Sequence, residues 1–236
     1  MSISSETIVE VLEASGSDLA EPEHSQQLVR PLSSLQERKL VDYLEDQLLD
    51  VTRNFKKRSQ PESTTLPTLS SYLTATHPLL SLILQIPPID PSAALRTTLL
   101  LRLTGDVMSA IPGYVPDVQT LPQLLSWLDD LDNGWLAVLR GQAWDPETHT
   151  GVDPNTTPAT PMSQTERTRL RSMLITGTGM MEEWLEGLNM NGQSYELTLE
   201  TLGLQQDFDE LFSKTLTEMG TLHGNDNDPR GMQGTC

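Results

Sequence analysis

The balance between leucine and the β-branched residues most constrains the fold of this chain. Its 236 residues include 39 leucines but only 17 isoleucines and valines together. Leucine keeps most of its side-chain freedom in a helix, whereas isoleucine and valine favour strands. We therefore expect an all-α protein. Hydrophobic residues make up 36% and aromatic residues 5% of the chain, which is low, so we also expect disordered segments beside the core.

Apolar spacing and capping signals predict an irregular bundle of five or six helices. The first helix begins after Pro31, and Ser34 with Glu37 fits a capping box. A second helical region covers about 68–86. Proline lacks an amide proton and clashes with the preceding turn, so Pro78 should break or kink this region.

Proline and glycine bound the next two predicted helices. Asp90 and Pro91 fit the N-cap and first position of a helix that ends near Ile111. The following helix covers about 121–140 and stops at Gly141. Three tryptophans on leucine-rich stripes are expected in the core: Trp127, Trp135 and Trp184.

Two further helical regions are predicted in the C-terminal third. Ser163 with Glu166 is a second capping box, and that helix should end at Gly192. The last region covers about 195–219, where Gly203 can divide it.

These elements predict one domain with flexible ends. Residues 1–30 are expected to form a flexible acidic arm with at most a short helix, 31–221 a single α-helical domain, and 222–236 a disordered tail. Within the domain, residues 141–162 contain four prolines and five threonines. That composition predicts a long, mobile surface loop without strands.

The charge is strongly negative and unevenly distributed. The formal net charge is -18, and residues 172–236 carry eleven acids against two bases. Duplex DNA and anionic membranes both attract clustered cations, so we expect neither as a direct partner. An acidic surface instead favours a protein partner with a basic surface, with Glu182, Glu183 and Glu186 as candidate contacts.

Three shorter features allow two interpretations each. The basic run Lys56, Lys57 and Arg58 is either a nuclear-import or nucleic-acid patch, or a helix end whose cations complement the dipole. Trp144 either covers the bundle or anchors a partner. Thr157 and Thr160, each followed by proline, are candidate phosphorylation sites or parts of an unmodified loop.

Catalytic and cofactor motifs are missing from the sequence. The glycine-dense stretch from Gly177 to Gly179 lacks the lysine of a phosphate loop and is interpreted as a flexible point in a helix. No nucleophile elbow occurs, and the single cysteine is Cys236. We therefore predict no catalytic residues and no cofactor.

Metal-binding motifs are missing as well. The four histidines lie far apart, and His77 alone is expected to be packed, as a core or boundary residue. Acidic groups such as Asp129, Asp130 and Asp132 are interpreted as solvated helix faces. No metal ligands are predicted.

Two stretches carry a resemblance to a known group. The helix from Leu40 to Arg58 has an LxxYL pattern followed by NFKKR, and residues 124–142 read LLSWLDDLDNGWLAVLRGQ. Residues 35–153, which contain both, resemble fungal helical proteins labelled as related to meiotic recombination. The resemblance implies an accessory role, because a recombinase would need the phosphate loop and strands that this chain lacks.

Two function hypotheses follow. The first is a non-enzymatic interaction or scaffold protein, inside the cell in the cytoplasm or nucleus, that binds a protein partner through a helical groove and an acidic surface. The alternative is a small helical enzyme whose carboxylate and histidine site is assembled only in space.

Overall fold

The computed structural model describes residues 30–154, 160–188 and 194–226, and within these it describes no side chains for Pro61 or for 221–226. The described residues form an all-α bundle with one small β-hairpin. Residues 1–29 of the predicted arm (1–30) and residues 227–236 of the predicted tail (222–236) lie outside them. The elements are α1 (Ser34–Lys56), α2 (Leu69–Leu84), α3 (Ser92–Ala110), α4 (Leu121–Leu139), β1 (Ala143–Asp145), β2 (Thr150–Val152), α5 (Gln164–Leu185), α6 (Tyr195–Leu202), α7 (Gln205–Asp209) and α8 (Ser213–Asp226).

Helix α4 lies at the centre of the bundle. It packs against α2, α3, α8 and the hairpin. Leu128, Leu131 and Trp135 are completely buried on its inner faces. The indole of Trp135 donates a hydrogen bond to the hydroxyl of Thr104 on α3 at 3.0 Å. All three tryptophans predicted in the core are buried, as expected.

Helix α2 is continuous through Pro78, contrary to the prediction of a break. The proline side chain lies on the exposed side of the helix, while Leu73, Leu79 and Leu80 on the other side are buried. Because buried residues before and after the proline pack into the core, the missing hydrogen bond does not divide the helix.

Two helix caps predicted upstream of the hairpin, Ser34 and Asp90, were wrong. Ser33, not Ser34, caps α1 and forms the capping box with Gln36. Asp90 does not cap α3: its carboxylate accepts hydrogen bonds from the amide and the hydroxyl of Thr160. The capping box of Ser163 and Glu166 is confirmed.

In the C-terminal third, the helices divide at Gly203 as predicted, but two of them end at other residues than predicted. Gly203 adopts the left-handed conformation that ends α6, as expected for a residue without Cβ. Helix α5 ends at Leu185 and continues as a 3-10 turn to Leu188, while Gly192 lies outside the described residues. Helix α8 continues to Asp226, so the start of the predicted tail is helical.

The predicted loop 141–162 is partly ordered. Residues 143–145 and 150–152 pair as an antiparallel hairpin, with Trp144 opposite Gly151. The prediction of no strand was therefore wrong here. The reason is tertiary, because such a short hairpin is marginal alone and this one packs along α4.

Candidate functional site

Three side chains far apart in sequence meet beside the hairpin. Nε2 of His77 lies 2.9 Å from Oδ2 of Asp130, and Nδ1 of His149 lies 2.7 Å from Oδ1 of the same carboxylate. The two imidazole rings have their centres 6.0 Å apart. We call these three residues the His–Asp cluster. It brings two potential nitrogen ligands and a carboxylate to one point.

Each residue of the His–Asp cluster comes from a different element. His77 lies on α2, Asp130 on α4, and His149 in the turn of the hairpin. The Asp130 side chain is 15% exposed, against 41% for His77 and 45% for His149. The carboxylate therefore lies at the inner side of the cluster, and the two imidazoles are open to solvent.

The turn between β1 and β2 fixes the position of His149. The Asp145 carboxylate accepts hydrogen bonds from the amide of Glu147 and the hydroxyl of Thr148. These bonds, the Glu147 amide first, hold the pKa of Asp145 below its usual value. His149 itself has a φ of 53°, a left-handed conformation that is uncommon outside glycine but is enriched in asparagine, aspartate and histidine.

Two contacts connect the hairpin to the bundle. Nη1 of Arg96, a completely buried residue of α3, donates to the Gln142 carbonyl at 2.6 Å. Trp144 is half-buried, packs against the core and lies 6.3 Å from the His149 ring, measured between ring centres. This geometry fits the first of the two interpretations of Trp144, in which the side chain covers the bundle.

The acids next to Asp130 have different structural roles. Asp129 pairs with the ammonium group of Lys214 at 2.6 Å. Asp132 is buried and accepts hydrogen bonds from the amides of Lys214 and Thr215 at the start of α8. Burial raises the pKa of Asp132, although these hydrogen bonds act in the opposite direction. The acidic run is therefore not a uniform solvated face.

Sequence analysis did not find the His–Asp cluster. Asp130 is separated from His77 by 53 residues and from His149 by 19. Motif searches rely on short fixed spacings, and no such spacing exists here. The interpretation of His77 as a boundary residue agrees with its partial burial, but the partners of His77 depend on how α2, α4 and the hairpin pack.

Of the three residues in the predicted basic patch, two are exposed and one packs against the bundle. Lys56 and Lys57 are exposed at the end of α1. Arg58 turns inward, where its Nε donates to the Gly113 carbonyl at 2.6 Å and its guanidinium lies 4.2 Å from the centre of the Phe55 ring. Two of the three predicted cations are therefore free to meet a partner.

The predicted acidic contacts lie on the surface. Glu182, Glu183 and Glu186 are all exposed at the end of α5. A cleft of about 610 Å³ between α6 and α7 adds four carboxylates, from Glu196, Glu200, Asp209 and Glu210.

The two predicted phosphorylation sites differ in what the structure describes. Thr160 is exposed, and its hydroxyl donates to Oδ2 of Asp90 at 2.6 Å. Thr157 lies outside the described residues.

A larger groove, of about 640 Å³, runs between α3 and α5. Gly105 lies opposite Met173, and Gly177 lies opposite Met108, so the two helices run in the same direction. The residues that line this α3–α5 groove are mainly methionines and small side chains: Gly105, Met108, Ser109, Thr168, Ser172, Met173, Thr176, Gly177 and Met180. Arg169 is the charged residue in its lining.

Comparisons with protein-family models, with curated proteins and with solved structures find no match to the chain. The resemblance to fungal helical proteins therefore stays a prediction. None of the helices in the described residues is long and apolar enough to cross a membrane.

Proposed function

We propose that the protein is a non-enzymatic interaction protein that binds an amphipathic helix of a protein partner in the α3–α5 groove. The observation that carries this proposal is the groove itself. Its lining on α5 extends from Gln164 to Met180, which corresponds to about 24 Å at 1.5 Å per residue. That length fits about four turns of a bound helix.

The lining suits a helical ligand chemically. Methionine side chains are flexible and polarizable, so they adapt to different apolar partners. Met180, which lines the groove, is 40% exposed. Small residues such as Gly105 and Ser172 leave room for a helix to approach closely. We expect the partner to present apolar side chains at positions i, i+3 or i+4, and i+7.

Charge at the ends of the groove would orient the partner. Arg169 faces the groove near the start of α5, whereas Glu182 and Glu183 follow Met180 at the other end. A basic segment of the partner would lie near these glutamates. The net charge of -18 would attract such a segment from a distance, so association should slow as salt is raised.

A blocking substitution tests this proposal. Ser172 is exposed and lines the groove, so Ser172→Arg should fill the groove without disturbing the core. We expect the full chain to form a stoichiometric complex in native pull-downs, and Ser172→Arg to lose it. A photo-crosslinking residue at position 172 should label the same partner.

Thr217 supplies the matched control, because it is exposed on α8 and away from the groove lining. Thr217→Arg adds the same charge and should keep the complex. If Ser172→Arg binds the partner as well as Thr217→Arg does, the groove is not the binding site.

Cellular location belongs to the same proposal. We infer a protein of the cytoplasm or nucleus, and the resemblance adds an accessory role in a meiotic process. The exposed Lys56 and Lys57 are the cations left for nuclear import. Imaging of the tagged chain, with and without Lys56→Ala and Lys57→Ala, tests the nuclear part.

The enzyme alternative has one observation in its favour, the convergence of His77, Asp130 and His149. Two imidazoles on one carboxylate can move protons or hold a metal ion. The first use would need a substrate-sized cavity beside the cluster, and the two clefts described above lie elsewhere. The interaction function therefore has the stronger support.

A further inference from the structure

We propose that the His–Asp cluster is a binding site for a divalent transition-metal cation, with zinc as the best match to its ligands. One ligand atom from each of His77, Asp130 and His149 can be chosen so that all three lie within 4.8 Å of one another. Ligands at 2.0–2.2 Å from tetrahedral zinc lie about 3.4 Å apart. The widest pair needs to close by at most about 1.4 Å, a distance that small side-chain rotations cover.

The chemistry of the ligand set selects the class of cation. Imidazole nitrogens together with one carboxylate suit zinc and related transition metals. Calcium and magnesium prefer sets made only of oxygen, so they should bind weakly here. Both imidazoles point a nitrogen at the same carboxylate, at 2.9 Å and 2.7 Å, so the three side chains converge on one point.

The surroundings of the cluster fit an accessible metal site. Asp130 lies at the inner side and the histidines are about two-fifths exposed, which leaves an entry path and a coordination position open to water. The hairpin turn holds His149 through the hydrogen bonds of Asp145. A bound ion would link α2, α4 and the hairpin at one point.

A simpler explanation is that Asp130 only ties the hairpin to the bundle by hydrogen bonds. Isosteric amides separate the two explanations. The amide of glutamine can take the place of Nε2 in His77→Gln, and that of asparagine can take the place of Nδ1 in His149→Asn. Both variants can keep the hydrogen bond to Asp130, but an amide is a poor ligand for zinc.

The experiment uses a full-length, tag-free chain in which competing ligands are removed. The sequence contains four histidines and one cysteine, so His24→Ala, His223→Ala and Cys236→Ser leave His77 and His149 as the only imidazoles and no thiol. Zinc chloride is titrated into this background by calorimetry. Cobalt(II) is titrated in parallel, because its visible absorption reports tetrahedral coordination.

We expect one zinc ion to bind per chain, and His77→Gln and His149→Asn each to weaken binding by at least about tenfold. Calcium chloride in excess should not displace the zinc. Without metal, hydrogen exchange of the hairpin amides should be the same in the background protein and in His149→Asn. Equal exchange would show that the substitution leaves the hairpin folded.

Two results would overturn the proposal: no stoichiometric zinc binding in the background, or a zinc affinity in both amide variants that is unchanged from the background. Either result would leave hydrogen bonding as the role of the cluster. The groove proposal rests on different residues, so Ser172→Arg decides it independently.

Discussion

The side chain of Asp132 on α4 caps the N-terminus of α8. Phe212, the residue before α8, has no side-chain acceptor for the free amides of the first turn. The Asp132 carboxylate accepts from the amides of Lys214 and Thr215 at 3.3 Å and 3.0 Å, and the Thr215 hydroxyl donates back to the Asp132 carbonyl. Because these groups are partly or fully buried, water cannot replace the carboxylate.

Removing this cap should lower stability more than removing a surface charge. We expect Asp132→Ala to lower the free energy of unfolding by about 1–3 kcal/mol, because buried amides lose their acceptor. Asp132→Asn keeps one acceptor oxygen and should lose less. Urea denaturation followed by circular dichroism measures both.

The matched control is Asp129→Ala, which removes the exposed pair with Lys214 and an exposed hydrogen bond from Asn133, and should cost about 0–1 kcal/mol. Equal losses in Asp129→Ala and Asp132→Ala would contradict the capping role of Asp132.

Helix α5 carries two glycines with opposite surroundings. A Cβ at Gly177 would collide with the Met108 side chain of α3, whereas a Cβ at Gly179 would meet nothing within 4 Å. Gly177 therefore permits the close approach of α3 and α5 that forms the floor of the groove. Neither glycine breaks the helix, which is continuous from Gln164 to Leu185.

Alanine substitutions should separate the two glycines. Gly179→Ala should raise the free energy of unfolding by about 0.5–1 kcal/mol, because alanine favours the helix and nothing opposes its methyl group. Gly177→Ala should lower it by about 1–3 kcal/mol, because Met108 must move. Chemical denaturation of the two variants gives the comparison directly, and a gain of stability in Gly177→Ala would contradict the close contact.

At the scale of the whole molecule, an aromatic cluster joins distant segments. Phe55 from α1, Tyr72 from α2 and Tyr114 after α3 have ring centres 5.6–5.9 Å apart. The hydroxyl of Tyr114 donates to the Leu66 carbonyl. Burial raises the pKa of Tyr114 to about 12, with Arg58 acting in the opposite direction, and burial also raises the pKa of Tyr72.

Stability should therefore depend on tyrosine ionisation at alkaline pH. In the unfolded chain tyrosines ionise near pH 10, whereas the folded protein keeps Tyr72 and Tyr114 protonated. Between about pH 10 and 12 the folded state binds more protons, so the tyrosine contribution, complete below pH 10, is lost as pH rises. The urea midpoint of the wild-type chain should fall between pH 8 and pH 11. In the Tyr72→Phe, Tyr114→Phe double variant this fall should be smaller.

Arg96 changes the folding stability in the opposite direction as the pH rises. Burial lowers its pKa to about 10, so above that pH the folded state releases a proton that the unfolded chain keeps, and stability rises. The comparison between the wild-type chain and the tyrosine variant cancels this contribution, because both contain Arg96. An equal fall of the urea midpoints in both proteins would contradict the tyrosine assignment.

Local signals were sufficient for much of the helical framework. Ser163 with Glu166, and Gly203, act within one helical turn, and the structure confirms them. The resemblance, the partner and the cellular location remain predictions. The break at Pro78 was wrong because packing on the far side of the helix outweighs one missing hydrogen bond.

By itself, the sequence determined the all-α class, most helix positions and the surface position of Glu182, Glu183 and Glu186, because leucine content, capping boxes and glycine act over a few residues. Only the tertiary structure decided that the hairpin orders part of the predicted loop, that Asp132 caps α8 and that Asp130 meets His77 and His149. These contacts span 5 to 83 residues along the chain. They depend on how helices pack, which no local spacing encodes.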